Sequence, residues 1–155
     1  MHKIVFAAAL FLAACGAPAH NEAAHEDGAL RIEDARAAPS PEGVDVAAGY
    51  LTIVNGTSED DRLLGATSPR AARVELHEMT MDGAVMQMRA IEAIPAPAGQ
   101  EVSLAPGGAH LMFFGVSTPF AEGEEIPVQL QFENAGEINL SLPVRRVAPQ
   151  NRDTH

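Results

Sequence analysis

Five of the six methionines fall between Met79 and Met112, and two histidines, His77 and His110, lie near the ends of that window. Thioether sulfur is a soft ligand that suits Cu(I) and has little affinity for Mg²⁺, Ca²⁺ or a hard iron site, while imidazole also takes copper. A mixed Met and His set therefore points to copper. The competing reading of methionine is adaptable filler in a hydrophobic core, so the face of the strand on which each residue sits decides between them.

Asp82-Gly83 is a strong two-residue hairpin signal, of the type I′ kind with positive φ at both positions. That turn predicts cross-strand partners whose numbers sum to 165, so Met81 faces Ala84, Met79 faces Met86 and His77 faces Met88. Side chains alternate between the faces of a strand. His77, Met79, Met81, Met86 and Met88 then share one face, and Val74, Leu76 and Val85 take the other, which suits a core. Farther on, His110 and Met112 share one face of a third strand, with Leu111 and Phe113 pointing the opposite way. Two imidazoles and several thioethers converge if that strand lies beside the hairpin, an adjacency the sequence leaves open.

The elements that must position these residues are strands. From Leu30 onward, short alternating apolar runs are interrupted by Pro, Gly, Asn and Asp, the all-β signature. Candidate strands are Leu30–Ala37, Ala47–Asn55, Asp61–Ser68, Arg73–Met81, Ala84–Ala90, Glu101–Leu104, His110–Val116, Glu125–Phe132 and Ile138–Val147. Breakers separate them at Pro39-Ser40-Pro41, Asn55-Gly56, Pro95-Ala96-Pro97, Pro106-Gly107-Gly108 and Asn134-Ala135-Gly136. Such a chain folds as an all-β Greek-key barrel or sandwich, with no internal repeat and no second domain. Tyr50 and Phe113 are expected in the core, Phe114 as a shield on the ligand face and Phe120 as a loop plug. The run Glu122, Glu124, Glu125 reads as a solvated loop, with a docking patch for a basic partner as the lesser reading.

Composition narrows the partners. The 155 residues carry 10 Lys plus Arg against 21 Asp plus Glu, a net charge of −11, which excludes nucleic acid, whose binders cluster basic residues to displace counterions. With 46% hydrophobic residues the chain can bury a core. Lys3 and the apolar run Ile4–Ala14 read as a signal peptide, residues 1–14, too short to span a bilayer. Leu12-Ala13-Ala14-Cys15 resembles the bacterial lipobox, in which the cysteine is acylated and becomes the new N-terminus. The expectation is a periplasmic lipoprotein tethered at Cys15, and Gly16 after the cysteine favours the outer membrane by analogy with enteric sorting. An ordinary secretory signal with an incidental cysteine is the other reading.

Residues 15–28 then form a flexible tether, residues 29–148 the β-domain and residues 149–155 a disordered tail. His20 and His25 on the tether are read as solvated, or as a weak auxiliary metal site. An acylated Cys15 leaves the domain without a thiol, so it holds no disulfide, zinc–thiolate cluster or cysteine nucleophile, and lacks the thiolate of a blue-copper site. Neither domain histidine has a nucleophile motif beside it, and no Walker loop or dinucleotide fingerprint is present. The chain reads as a protein that is not an enzyme.

His77, ten residues, Met88, twenty-one residues, then His110-Leu111-Met112 resembles the H-x10-M-x21-H-x-M pattern of the periplasmic copper chaperones called PCu(A)C. Neighbouring segments are similar to that family too: Ile32-Glu33-Asp34-Ala35-Arg36-Ala37, Gly49-Tyr50-Leu51-Thr52-Ile53 with Asn55, Arg73-Val74-Glu75-Leu76-His77-Glu78 and Pro106-Gly107-Gly108-Ala109-His110-Leu111-Met112. The similarity runs from about Leu30 to Val147. Family members commonly carry a Trp near the position of Asp34-Ala35, where Arg36 follows here, a departure expected to touch packing more than the site.

The resemblance implies a cupredoxin-like, immunoglobulin-like β-barrel that binds one Cu(I) through His77, Met88, His110 and Met112. It also implies delivery to the dinuclear copper centre of cytochrome c oxidase, on its copper-bearing subunit, alongside a thioredoxin-like copper chaperone. Met79, Met81 and Met86 are further thioethers, read either as packing or as guards or a transfer route, with Met79 and Met86 as auxiliary ligands. Two other functions fit the same residues: copper buffering, tolerance or acquisition, and a metal-free envelope interaction lipoprotein whose Met cluster is a contact surface. The expected state is a monomer.

Overall fold

The computed structural model describes residues 28–146, so the signal peptide, Cys15, His20, His25 and the tail 149–155 lie outside the described residues. Ten strands follow in order: β1 Leu30–Ala37, β2 Val46–Asn55, β3 Asp61–Thr67, β4 Arg73–Asp82, β5 Val85–Ala90, β6 Ile94–Ala96, β7 Glu101–Leu104, β8 His110–Phe114, β9 Glu125–Phe132 and β10 Glu137–Pro143. Among the described residues there is no helix. The sheet runs β1-β2-β8-β4-β3-β9-β10, with β5 on β4, β6 on β3 and β7 on β2. Its two ends meet: Ala37 bridges Val144, and the Arg145 N–H donates to the Ala37 carbonyl at 3.1 Å. The result is a nearly closed, cupredoxin-like barrel, as the alternating pattern requires.

Alternation builds the interior. On β9, Ile126, Val128, Leu130 and Phe132 point in while Glu125, Pro127 and Gln131 point out. Leu51 and Ile53 of β2, Leu111 and Phe113 of β8, Leu63 of β3 and Leu142 of β10 meet them. Phe120, fully buried outside any strand, packs edge-on against Phe113 with ring centroids 5.3 Å apart. It plugs the barrel as expected.

The strand order settles the adjacency that the sequence left open. β8 inserts between β2 and β4, so the His110 strand lies directly beside the His77 strand. Several expectations need correction here. The hairpin register is Asp82↔Val85, Met81↔Met86, Met79↔Met88 and His77↔Ala90, a sum of 167. Gly83 has φ 63° while Asp82 is not in the left-handed region, so the two loop residues are Gly83 and Ala84, and the glycine leads as in a type II′ turn. The shift moves every partner by two positions and leaves all faces unchanged.

Strand β6 occupies a stretch read as a breaker. Pro95 lacks an N–H, yet β6 is a three-residue edge segment on β3 in which Ile94 and Ala96 are buried and Pro95 faces outward. Conversely, β8 stops at Phe114 because Gly115 takes φ +68° and a Cβ there would sit 2.7 Å from the Ala72 Cβ. Strand β10 likewise stops at Pro143, short of Val147.

Candidate metal centre

Strands β1, β2, β8, β4 and β5 lie side by side, and one outward-facing row crosses all of them. Arg36 of β1 pairs with Tyr50 of β2, His110 of β8 pairs with His77 of β4, and His77 pairs with Ala90 of β5. The Tyr50 and His110 rings are 6.4 Å apart and the His110 and His77 rings 5.9 Å apart. Opposed residues on one face of a ladder hold their Cβ atoms about 5 Å apart, and diagonal neighbours about 7–8 Å, within reach of long side chains. Met112 is two positions along β8 from His110 and pairs with Glu75. Met88 pairs with Met79, two positions along β4 from His77. The four predicted ligands therefore share one face of three adjacent strands, two imidazoles in the middle and one thioether diagonal on each side.

Burial grades across this face. His110 is 6% exposed and the His77 side chain 12%, whereas Met88 is 49% exposed. Phe114 covers the His77 ring at 5.7 Å, the shield expected of it, and the Arg73 guanidinium caps Phe114 at 4.3 Å. The imidazoles are thus sunk into the surface, and the open side of the centre is the Met88 side.

Hydrogen bonds leave one nitrogen of each ring available. The His77 Nε2 lies 2.9 Å from Glu75 Oε2, and an ionised carboxylate only accepts, so Nε2 carries the hydrogen. Nδ1 of His77 is then a buried lone pair with no partner. Buried polar atoms are nearly always satisfied, so an unpartnered imidazole lone pair on the face that also carries the thioethers fits a metal ligand. His110 directs Nδ1 to the Gly108 carbonyl at 3.1 Å, which leaves its Nε2 free. The same carbonyl accepts the Met79 backbone N–H at 3.1 Å, so one backbone group orients His110 and pins the hairpin. Such supporting contacts orient a metal-binding imidazole and fix its tautomer.

Glu75 is the residue that sequence reasoning passed over. Hydrogen bonds from His77 and Arg73 hold its carboxyl below the usual carboxylate range. Its signal was present in the alternation, since Arg73, Glu75 and His77 must share a face. Among the described residues no three His, Cys, Asp or Glu side chains are grouped to hold a metal ion. Any ion held here must draw on sulfur, which favours a soft monovalent cation.

Two further expectations are corrected at this site. Tyr50 does not pack in the core: it stands on the outer face beside His110, where burial raises its phenol pKa and the Arg36 charge opposes the rise. Val85, expected in the core, is 60% exposed because the hairpin extends past the end of β8. Arg36, at the position expected to touch packing more than the site, lies over the Tyr50 ring at 5.4 Å and so flanks the centre. A bulge between Glu33 and Arg36, where Asp34 takes φ 49°, turns it there.

Comparison with known proteins bears on the family and the fold. Residues 30–144, every strand of the barrel, match the family described as "Putative lipoprotein LpqE-like". The chain belongs to the LpqE-like family. The chain is also similar to "Putative lipoprotein Lxx21020" of Leifsonia xyli subsp. xyli (strain CTCB07), 32% identical over 112 residues that make up 72% of this chain and 68% of that one. Among solved structures, the copper-bound PCuAC domain from PmoF2 is 28% identical with a TM-score of 0.65, over 79% of this chain and 97% of that one. The Cu(I) form of DR1885 from Deinococcus radiodurans is 25% identical with a TM-score of 0.60, over 76% and 80% of the two chains. The LpqE-like barrel thus has the fold of PCuAC copper chaperone domains.

Proposed function

We propose that this chain is a copper carrier of the cell envelope that takes one Cu(I) through His77, Met88, His110 and Met112 and passes it on by ligand exchange. The observation that carries the reading is the direct opposition of His77 and His110 across β4 and β8, with a thioether diagonal to the pair on each side. Two neutral imidazoles and two neutral thioethers leave the bound ion at +1, and the Glu75 carboxylate beside His77 offsets that charge. None of these donors can be lost to a disulfide in an oxidising compartment. The copper-bound PmoF2 domain and the Cu(I) form of DR1885 support the choice of ion.

In this reading the chain is not an enzyme. Copper enters and leaves from the Met88 side, where an incoming ligand can displace a thioether before the buried imidazoles let go. Residues 1–14 direct export, Cys15 anchors the mature chain through lipid, residues 15–28 give it reach, and residues 29–148 carry the ion as a monomer at the periplasmic face of the outer membrane. The acceptor is the dinuclear copper centre of cytochrome c oxidase, reached directly or with a thioredoxin-like copper chaperone.

An anaerobic Cu(I) competition titration tests the site, with the unaltered chain beside Met88→Ala and His110→Ala. One tight equivalent, lost in both variants, is expected. Binding untouched by either substitution would return the methionine cluster to packing.

A further inference from the structure

The hairpin carries a second thioether pair that the four-residue site does not use. Met81 and Met86 are opposed across β4 and β5 two ladder positions beyond Met79 and Met88, on the same face, and are 63% and 59% exposed. Of the large apolar side chains that stand exposed among the described residues, Met81, Val85, Met86 and Met88 all belong to this hairpin. A methionine that fills a core is buried, so packing does not account for this pair. The reverse face of the hairpin carries the Arg89–Glu78 ion pair with Thr80 and Gln87, so the thioethers are confined to the side that continues into His77. Among the described residues no strand pairs with the outer edge of β5.

We propose that Met81 and Met86 form a capture site for Cu(I) at the hairpin tip, from which the ion moves along Met79 and Met88 to His77 and His110. This deepens the copper-carrier reading and rests on it. Each step exchanges one neutral thioether for another or for an imidazole, so copper remains Cu(I), no electron moves and no proton is released. Two exposed thioethers hold the ion more weakly than a set that includes imidazole, so the gradient runs inward.

The test uses the full chain with ¹³C-labelled methionine methyl groups, titrated with Ag(I) as a closed-shell stand-in for Cu(I) and followed by NMR. The first equivalent is expected to shift the Met88 and Met112 methyls, and the second those of Met81 and Met86. Met81→Leu keeps the apolar surface and is expected to abolish the second step while the first persists. Met81 and Met86 methyls unmoved through the second equivalent, with the first step intact, would overturn the capture site. A first equivalent that leaves Met88 and Met112 unmoved would instead overturn the four-residue site, and the capture pair would still be judged on its own two methyls.

Discussion

Glu75 accepts a hydrogen bond from Nε2 of His77 at 2.9 Å, and that contact leaves the other nitrogen of the ring, Nδ1, buried and without a partner. The carboxylate thus decides which nitrogen of His77 can bind an ion. Loss of such an orienting partner typically costs about 10- to 100-fold in metal affinity. Glu75→Ala should weaken Cu(I) binding by that order in a competition titration, and Glu75→Gln, which retains an acceptor oxygen, by less. Equal affinity in Glu75→Ala and the unaltered chain would remove Glu75 from the site.

Imidazole ligates only through a free lone pair, so protons compete with the ion. Cu(I) affinity should fall as the solution is acidified from neutrality to about pH 5, the range in which histidine ordinarily gains charge. Thioethers do not titrate there. An affinity constant over that interval would mean that the sulfurs bind the ion without His77 and His110.

Asp61, at the start of β3, is 6% exposed and accepts the backbone N–H groups of Arg62, Asn134 and Ala135 at 2.7–2.9 Å. Burial pushes its carboxyl up, and the backbone donors, Asn134 first, outweigh burial and bring it below the ordinary value. A carboxyl lowered in the folded state stabilises the fold fully above the unfolded value, about 3.9, and that contribution is lost as pH falls through the folded value. Asp61→Ala leaves buried donors unpaired and should cost about 1–3 kcal/mol at neutral pH. The stability gap between the two proteins, read from denaturant unfolding, should narrow below about pH 4. A gap independent of pH would show that the ionised form is not what those donors hold.

Phe120 fills the barrel interior against Phe113, whose strand neighbours Met112 and Phe114 lie on the face of the candidate metal centre. Phe120→Ala should destabilise the fold by about 3–5 kcal/mol. Denaturant unfolding measures this. A loss below about 1 kcal/mol would mean that the barrel closes over the gap, at the lenient extreme of cavity substitutions.

Much of the barrel was legible in the order of residues because its strands alternate cleanly, as Ile126 to Phe132 do on β9. The failures have local causes. β6 was hidden by Pro95, which reads as a breaker and is tolerated only because its segment is a short sheet edge. The hairpin register turned on whether Asp82 or Gly83 takes the first loop position, a backbone choice that Asp-Gly leaves open. Tyr50 was misplaced because an aromatic next to Leu51 can face either way until the strand's parity is anchored by a packed neighbour.

The sequence by itself determined which soft donors the domain offers, since residue type fixes softness, and which of them share a face, since strand parity survives any register shift of two. It also excluded a thiolate site once Cys15 is assigned to the lipid. Only the tertiary structure decided that β8 lies against β4, because strand order depends on how distant segments bury their apolar faces together. That packing opposed His77 to His110 and sank both rings below Met88. Contacts of this kind join residues whose meeting no local pattern records.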